Sequence, residues 1–226
     1  RKLYGVKKLR ELILDLAVRG LLVPQDPNEE SVAELIEKGH VERLGLVSKG
    51  VIKSQKQSPP ILKEFVPFQE PKGWAWQRLP DVTFFQEGPG IMAKDFRAAG
   101  VPLIRISGMG NALVSLNGCN FLDEKMVDAK WSHFKLNAGD IILTSSASLG
   151  KVSKVGEESI GCIAYTGLIR FKPFASLSEN YLRKFFESNE FVRQIDASKT
   201  GAAIKHFGPT HLKLMVIPIP PIAEQH

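Results

Sequence analysis

Apolar residues at helical spacing open the chain. Val6, Leu9, Leu12, Ile13, Leu16 and Ala17 recur every three or four positions, which predicts an amphipathic helix over 6–19. Gly20 suits the left-handed position that closes such a helix, and Pro24 prevents its resumption. A second helix is expected from Ser31, with Glu34 three residues on as a capping box, to about Gly39. Two short helices bury little surface alone, so they are expected to pack on another helix or another subunit. Between 49 and 72 the periodicity lapses into lysine, glutamine, serine and proline (SKGVIKSQKQSPP), the composition of a solvated tether.

Folding resumes at Gly73-Trp74-Ala75-Trp76, where short apolar runs alternate with glycine-rich turns. Residues 101–106, 140–144, 151–155, 160–171 and 212–217 read as strands. Ser178 caps a helix expected to run through Ile195, with Tyr181, Leu182, Phe185, Phe186 and Val192 as its buried stripe. A shorter helix is expected over 125–131. Many strands with one long helix near the end predict an α+β fold with a curved, mostly antiparallel sheet, preceded by short N-terminal helices. The organisation expected is a helical region at 1–48, a linker at 49–73 and a main domain at 74–217. The rigid Pro218-Ile-Pro-Pro221 stretch and Ala223-Glu224-Gln225 would begin a spacer helix at 218–226.

Composition adds limits rather than identity. With 43% hydrophobic and 24% charged residues, the chain has enough apolar material for a globular core. No apolar run approaches bilayer-crossing length, and charges throughout the first helix do not fit a signal peptide. A start without Met and a stop at His226 are the expectation for a fragment. Cys119 and Cys162 match no zinc spacing and form no CxxC pair; they are expected to be reduced thiols in a cytoplasmic protein. The net charge of +6 favours polyanions without identifying one. Residues 1–63 hold 12 basic against 8 acidic residues, and 94–154 hold 8 against 5, so much of the excess precedes the main domain.

Four segments could touch a partner. In QEGPGIMAKDFR (86–97), Gly88 and Gly90 permit close backbone approach, and Lys94 and Arg97 follow one turn apart; a surface turn with two solvated charges is the alternative. At Arg105-Ile-Ser107-Gly-Met-Gly-Asn111 a strand end delivers an arginine and an asparagine to one edge. Arg forks onto guanine O6/N7 and Asn onto adenine N6/N7; the alternative is a hairpin turn with Arg105 salt-bridged. Thr144-Ser145-Ser146-Ala-Ser148-Leu-Gly-Lys151 offers hydroxyls and a Gly-Lys pair to phosphate oxygens. It lacks the first glycine of a nucleotide-binding loop, and a plain hairpin competes. Lys199, Thr200, Lys205 and His206 flank a Gly-Ala-Ala turn able to lie against a sugar-phosphate backbone.

Enzyme signatures mostly fail. Gly88-Pro-Gly90-Ile-Met-Ala93 is a poor dinucleotide fingerprint, and no Asn/Asp-Pro-Pro-Tyr/Phe methyltransferase motif is present. Pro80-Asp81 with Asp123-Glu124-Lys125 mimics a metal-nuclease pattern, although Asp123 also reads as a helix N-cap. The five histidines show no metal-ligand spacing, and no Ser/His/Asp set can be assembled. No catalytic residue, metal site or cofactor can be assigned from these residues.

The order of these segments resembles that of the specificity subunits of type I restriction-modification enzymes. LRELILDLAVRGLLVPQDPNEESVAELIEK (9–38) looks like the helical region preceding their first target-recognition domain, and PKGWAWQRL (71–79) like the start of that domain. EGPGIMAKDFRAAGVPLIRISGM, AGDIILTSSASLGKV and TGAAIKHFGPTHLKLMVIPIPPIAEQ are similar to its interior and exit. The resemblance implies a non-catalytic reader of one half of a split double-stranded DNA target. Partner modification subunits would then methylate adenine using S-adenosylmethionine, and restriction subunits would cleave using ATP. With the four segments read in this light, Lys94, Arg97, Arg105, Asn111, Ser145, Ser146, Ser148, Lys151, Lys199, Thr200, Lys205 and His206 are expected to line the DNA face. The alternatives are the recognition part of a fused restriction-methylation enzyme, a metal-dependent nuclease, or a protein-interaction module.

Overall fold

The computed structural model describes every residue except 1, 27, 111, 146–149 and 199–206, together with the backbone alone of Lys2 and Leu3. In chain order come α1 (Lys2–Val18), α2 (Val32–Ser48), β1 (Ala75–Arg78), α3 (Leu79–Val82) and β2 (Thr83–Glu87). Then follow β3 (Phe96–Arg97), β4 (Val101–Ile104), β5 (Asn120–Leu122) and α4 (Glu124–Met126). The strands β6 (Ile141–Thr144), β7 (Val152–Lys154), β8 (Ile163–Ala164) and β9 (Leu168–Pro173) complete the middle of the chain. Last are α5 (Glu179–Glu187), α6 (Asn189–Ser198), α7 (Pro209–Leu212) and β10 (Val216–Ile219). Helices and largely antiparallel sheets together make a mixed α and β architecture.

The chain divides into two compact units, one of residues 1–83, 173–203 and 211–226, the other of 84–172 and 204–210. In the first, β1 and β10 pair antiparallel, with Ala75 opposite Ile219 and Arg78 opposite Val216. Pro218 is tolerated there because a two-stranded ribbon has only edges, and an edge strand can lack a donor. Its carbonyl accepts the hydroxyl of the buried Tyr181 at 2.8 Å. The strand expected at 212–217 is shifted: Leu212 closes a helical turn and is fully buried, Leu214 is exposed, and pairing begins at Val216.

Three helix expectations change. The second helix runs past Gly39 to Ser48, and Gly50 (φ 68°) is the left-handed residue beyond its end. Gly39 is inside it because α2 packs there against Ser176, whose Cβ would lie 2.9 Å from a Cβ at that position. Its glycine marks a close approach, and the backbone N–H of Ala175 beside it donates to Glu42 at 2.5 Å.

The single helix expected over 178–195 is two. Ser178 caps α5 as anticipated, its hydroxyl accepting from Tyr181 N at 3.1 Å. Ser188 then adopts an extended conformation (φ −80°, ψ 155°), donates its hydroxyl to the Phe185 carbonyl at 2.6 Å and accepts from Phe191 N at 3.3 Å. The break resets the buried stripe, so Phe191 and Ile195 are inside while Val192 is exposed. Phe185, Phe186 and Phe191 form the aromatic centre of this unit, with centroids 4.8–6.1 Å apart. The helix expected over 125–131 is one α turn capped by Asp123, followed by a π-helical turn over Val127–Trp131.

The 49–73 segment is anchored rather than loose. Ser58 donates to Asp81 at 2.9 Å, Trp76 donates its indole N–H to the Phe68 carbonyl at 3.2 Å, and the buried Arg78 donates to the carbonyls of Pro59 and Pro60.

The second unit contains two four-stranded sheets, ordered β2-β9-β6-β7 and β3-β5-β4-β8. β6 is antiparallel to both β7 and β9, whereas β4 runs antiparallel to β5 but parallel to β8. Strand expectations were longer than the strands. The 101–106 run ends as β4 at Ile104 and turns through a 3-10 segment at Ile106–Gly108; the 160–171 run divides into β8 and β9 at a turn holding Gly167 (φ 84°). Leu103, Ile104, Leu122, Ile142, Ile163, Leu168, Ile169 and Phe171 are fully buried here. Arg170 is buried with them, donating to the Lys135 carbonyl at 2.6 Å and to Gln86 at 3.2 Å, 3.8 Å from Asp140. Burial lowers its pKa and Asp140 opposes the shift.

Candidate nucleic-acid interface

Five of the twelve expected site residues are described: Lys94, Arg97, Arg105, Ser145 and Lys151, all in the second unit. Asn111, Ser146, Ser148, Lys199, Thr200, Lys205 and His206 lie outside the described residues.

Arg105 follows the last residue of β4, and its surroundings are built from three separate stretches of chain. Its Nη1 donates to Asn120 Oδ1 on β5 at 3.0 Å, and its guanidinium carbon sits 4.3 Å from the ring centroid of Tyr165. The parallel pairing of β4 with β8 brings Tyr165 there, because its backbone N–H donates to the Ile104 carbonyl at 3.0 Å. The Tyr165 hydroxyl donates to the Ile91 carbonyl at 3.1 Å, and Phe96 meets the ring edge-on at 6.4 Å. Tyr165 therefore ties the 86–97 segment to the 105–111 segment. Arg105, Ser107, Asn120, Tyr165 and Thr166 line a cleft of about 420 Å³.

The 105–111 and 144–151 segments also adjoin. Gly110 N donates to Ser153 Oγ at 3.3 Å, Lys154 N donates to the Ala112 carbonyl at 2.9 Å, and Val114 N returns a bond to the Lys154 carbonyl at 2.9 Å. Lys151 is exposed and its aliphatic stem lies over Gly110, where a Cβ would stand 3.6 Å from Cδ. Its backbone N–H donates to Thr144 Oγ1 at 3.1 Å. Ser145 is buried at the end of β6, and its hydroxyl has no hydrogen-bond partner among the described residues.

Lys94 and Arg97 are exposed, Lys94 in a 3-10 turn and Arg97 on β3. Arg97 donates to the carbonyls of Lys94 and Phe96, which holds its guanidinium close to the chain. Gly88 makes its close approach to the protein's own backbone, since a Cβ there would overlap the Ala164 carbonyl, whereas Gly90 faces open space. Among the described residues, Lys94, Arg97, Arg105 and Lys151 have no carboxylate within ion-pair distance. Arg105 is thus not salt-bridged; an amide and an aromatic ring hold it instead.

Tyr165 and Asn120 escape the sequence reading. Tyr165 lies inside a run that reads as one strand, and Asn120 stands fifteen residues from Arg105 with no local pattern linking them. Only the strand order joins the three. Two acids of the nuclease-like pattern have structural partners: Asp81 accepts from Ser58 and from Arg43 at 3.5 Å, and Asp123 accepts from Met126 N at 2.9 Å. Among the described residues no group of three His, Cys, Asp or Glu side chains could hold a metal ion. Nor is any helix among them long and apolar enough to cross a membrane. Both cysteines are free; burial pushes the Cys162 thiol up to about 11.

Residues 71–226 match the type I restriction modification DNA specificity domain, and the chain belongs to that family. It is 29% identical over 226 residues to the specificity subunit of the type I restriction enzyme EcoAI of Escherichia coli, and 32% identical over 230 residues to that of EcoEI from the same species. These alignments cover 98% and 99% of this chain but 38% of each relative. The chain thus spans about two-fifths of the length of the curated relatives it matches.

Among solved structures it resembles the HsdS subunit of Thermoanaerobacter tengcongensis, at 18% identity and a TM-score of 0.53 over 86% of this chain and 43% of that one. It also resembles a chain from a structural study of complex assembly in a type I R-M system, at 18% identity and a TM-score of 0.54 over 100% of this chain and 48% of that one. At such identity the likeness shows the fold.

Proposed function

We propose that residues 74–217 form a sequence-specific, double-stranded DNA-binding domain, the first recognition half of a type I restriction-modification specificity subunit. Residues 1–48 are its N-terminal helical region, 49–73 the linker, and 218–226 the start of the spacer. The chain supplies recognition and leaves the chemistry to partners: modification subunits methylate adenine and restriction subunits cleave. It binds no cofactor of its own and works in the cytoplasm. A curved sheet surface would let its loops follow one side of a duplex.

The DNA face comprises Lys94, Arg97, Arg105, Asn111, Ser145, Ser146, Ser148, Lys151, Lys199, Thr200, Lys205 and His206. Arg105 and Asn111 face bases; Lys151, Lys199 and Lys205 face phosphates. One observation supports this reading most: three segments expected at DNA adjoin through Tyr165 and through the Lys151 stem over Gly110, and among the described residues their cations have no carboxylate partner. Unneutralised cations on a rigid sheet suit phosphate contacts, which position a duplex, while base-edge contacts specify it.

The test is a double replacement of Lys151 and Lys205 by Ala in the full-length protein. Each lost phosphate contact lowers the slope of log affinity against log salt by roughly 0.9, so a reduction near 1.8 is expected. An unchanged affinity and slope would show that this face does not meet DNA.

A further inference from the structure

Resting on that reading, we propose that Arg105 reads a guanine in the major groove and that Tyr165 and Asn120 are the positioning residues that hold its fork in place. Arginine recognises guanine by sending two parallel N–H groups to O6 and N7. A surface arginine ordinarily loses much side-chain freedom to do so, which opposes binding. Here that freedom is already restricted. The Tyr165 ring lies under the guanidinium at 4.3 Å, and Asn120 Oδ1 takes one Nη1 proton at 3.0 Å.

Both supports are themselves fixed. The Tyr165 hydroxyl is bonded to the Ile91 carbonyl and its backbone N–H to Ile104, while Asn120 sits in β5, paired with Leu103 on β4. Neither support neutralises the cation, because one is a π face and the other an uncharged amide. One bond to Asn120 consumes one of five donors, leaving enough for a fork.

The cleft beside Arg105 has the matching chemistry. Its lining offers the guanidinium, the Asn120 amide N–H groups and the Thr166 hydroxyl, with no carboxylate among the described residues, while Ser107 already donates its hydroxyl to the Asn117 carbonyl at 2.8 Å. The guanidinium and the Asn120 amide N–H groups favour an acceptor edge, and the wall holds no carboxylate among the described residues to favour the cytosine amino group. A phosphate oxygen would satisfy the same cation, but it would not need the fork. Lysine therefore separates the two: it keeps the charge and loses the planar pair of donors.

The experiment is selection from a double-stranded DNA library with randomised base pairs, by the full-length protein in its native complex, alongside salt titrations. Wild type should prefer guanine at one position by roughly 5- to 150-fold. Arg105→Lys should abolish that preference while leaving the other positions and the salt slope unchanged. Tyr165→Leu should weaken it in the same selective way, and Tyr165→Phe, which keeps the ring, should retain most of it.

Preserved guanine preference in Arg105→Lys overturns the proposal, as does an equal loss at every position. A wild type that selects no sequence at all overturns the DNA-reading function itself, which is a different result.

Discussion

The two units dispose of their polar side chains in opposite ways. In the first, long polar groups turn inward and cap the unit's own backbone. Buried Arg78 donates to the carbonyls of Pro59, Pro60 and Leu214. Gln225 accepts from Ser178 N at 2.6 Å and donates to the carbonyls of Ser176 and Pro220. Gln194 bonds both the N–H and the carbonyl of Val216 at 2.9 Å. Trp74 donates to Gln25 at 2.8 Å and to Glu224 at 3.2 Å. In the second unit the buried Arg170 does similar work, but Lys94, Arg97, Arg105 and Lys151 leave donors free. Where polar groups are consumed internally, they hold irregular segments together. Where they are left over on a sheet scaffold, they are available to a ligand.

The contrast breaks most severely at Arg78. Arg78→Met leaves three carbonyls without their charged donor, and each hydrogen bond to a charged group is worth about 1.5–3 kcal/mol. A loss of about 3 kcal/mol or more is expected in urea unfolding followed by tryptophan fluorescence, a probe favoured by the buried Trp74 and Trp76.

Glu190 gives a smaller, pH-dependent effect. Burial raises its pKa, while the hydrogen bond from Gln194 and the charge of Arg193 oppose the shift. A carboxyl raised in the folded state contributes stability below the ordinary carboxylate range and loses that contribution as pH rises through the raised value. Glu190→Gln does not titrate, so its unfolding midpoint should gain on wild type between pH 4 and pH 7. A constant gap across that range would show that Glu190 titrates normally.

Removal of exposed cations from the second unit should have the least effect on folding. Lys94→Ala with Arg97→Ala is expected to move stability by no more than about 0.5 kcal/mol. The same pair should lower the salt slope of DNA binding by up to roughly 1.8. A large loss of stability would assign these two side chains to structure instead.

The parts legible in the sequence are those whose signals are local. Ser178 and Asp123 cap helices where expected, and Gly20 has the positive φ of a closing residue. Gly39 misled because a glycine needed for close packing looks like one needed for termination. Ser188 was silent because a serine breaks a helix only when its hydroxyl is claimed by the preceding turn. At the candidate site, the position of Arg105 just past a strand end was legible. Its supports were not, since a parallel pairing across sixty residues leaves no periodic trace. The anchoring of 49–73 was hidden similarly: proline carbonyls become useful only when an arginine is buried beside them.

Tyr165 also constrains how such a protein can diversify. A single side chain underpins the arginine and fastens the preceding glycine-rich stretch, so the two cannot drift independently. An exchange that transplanted residues 105–111 alone would inherit a platform shaped for a different occupant. If Arg105 reads a base as proposed, target preference should be inherited in blocks that include Tyr165, the residue directly after the two-residue β8.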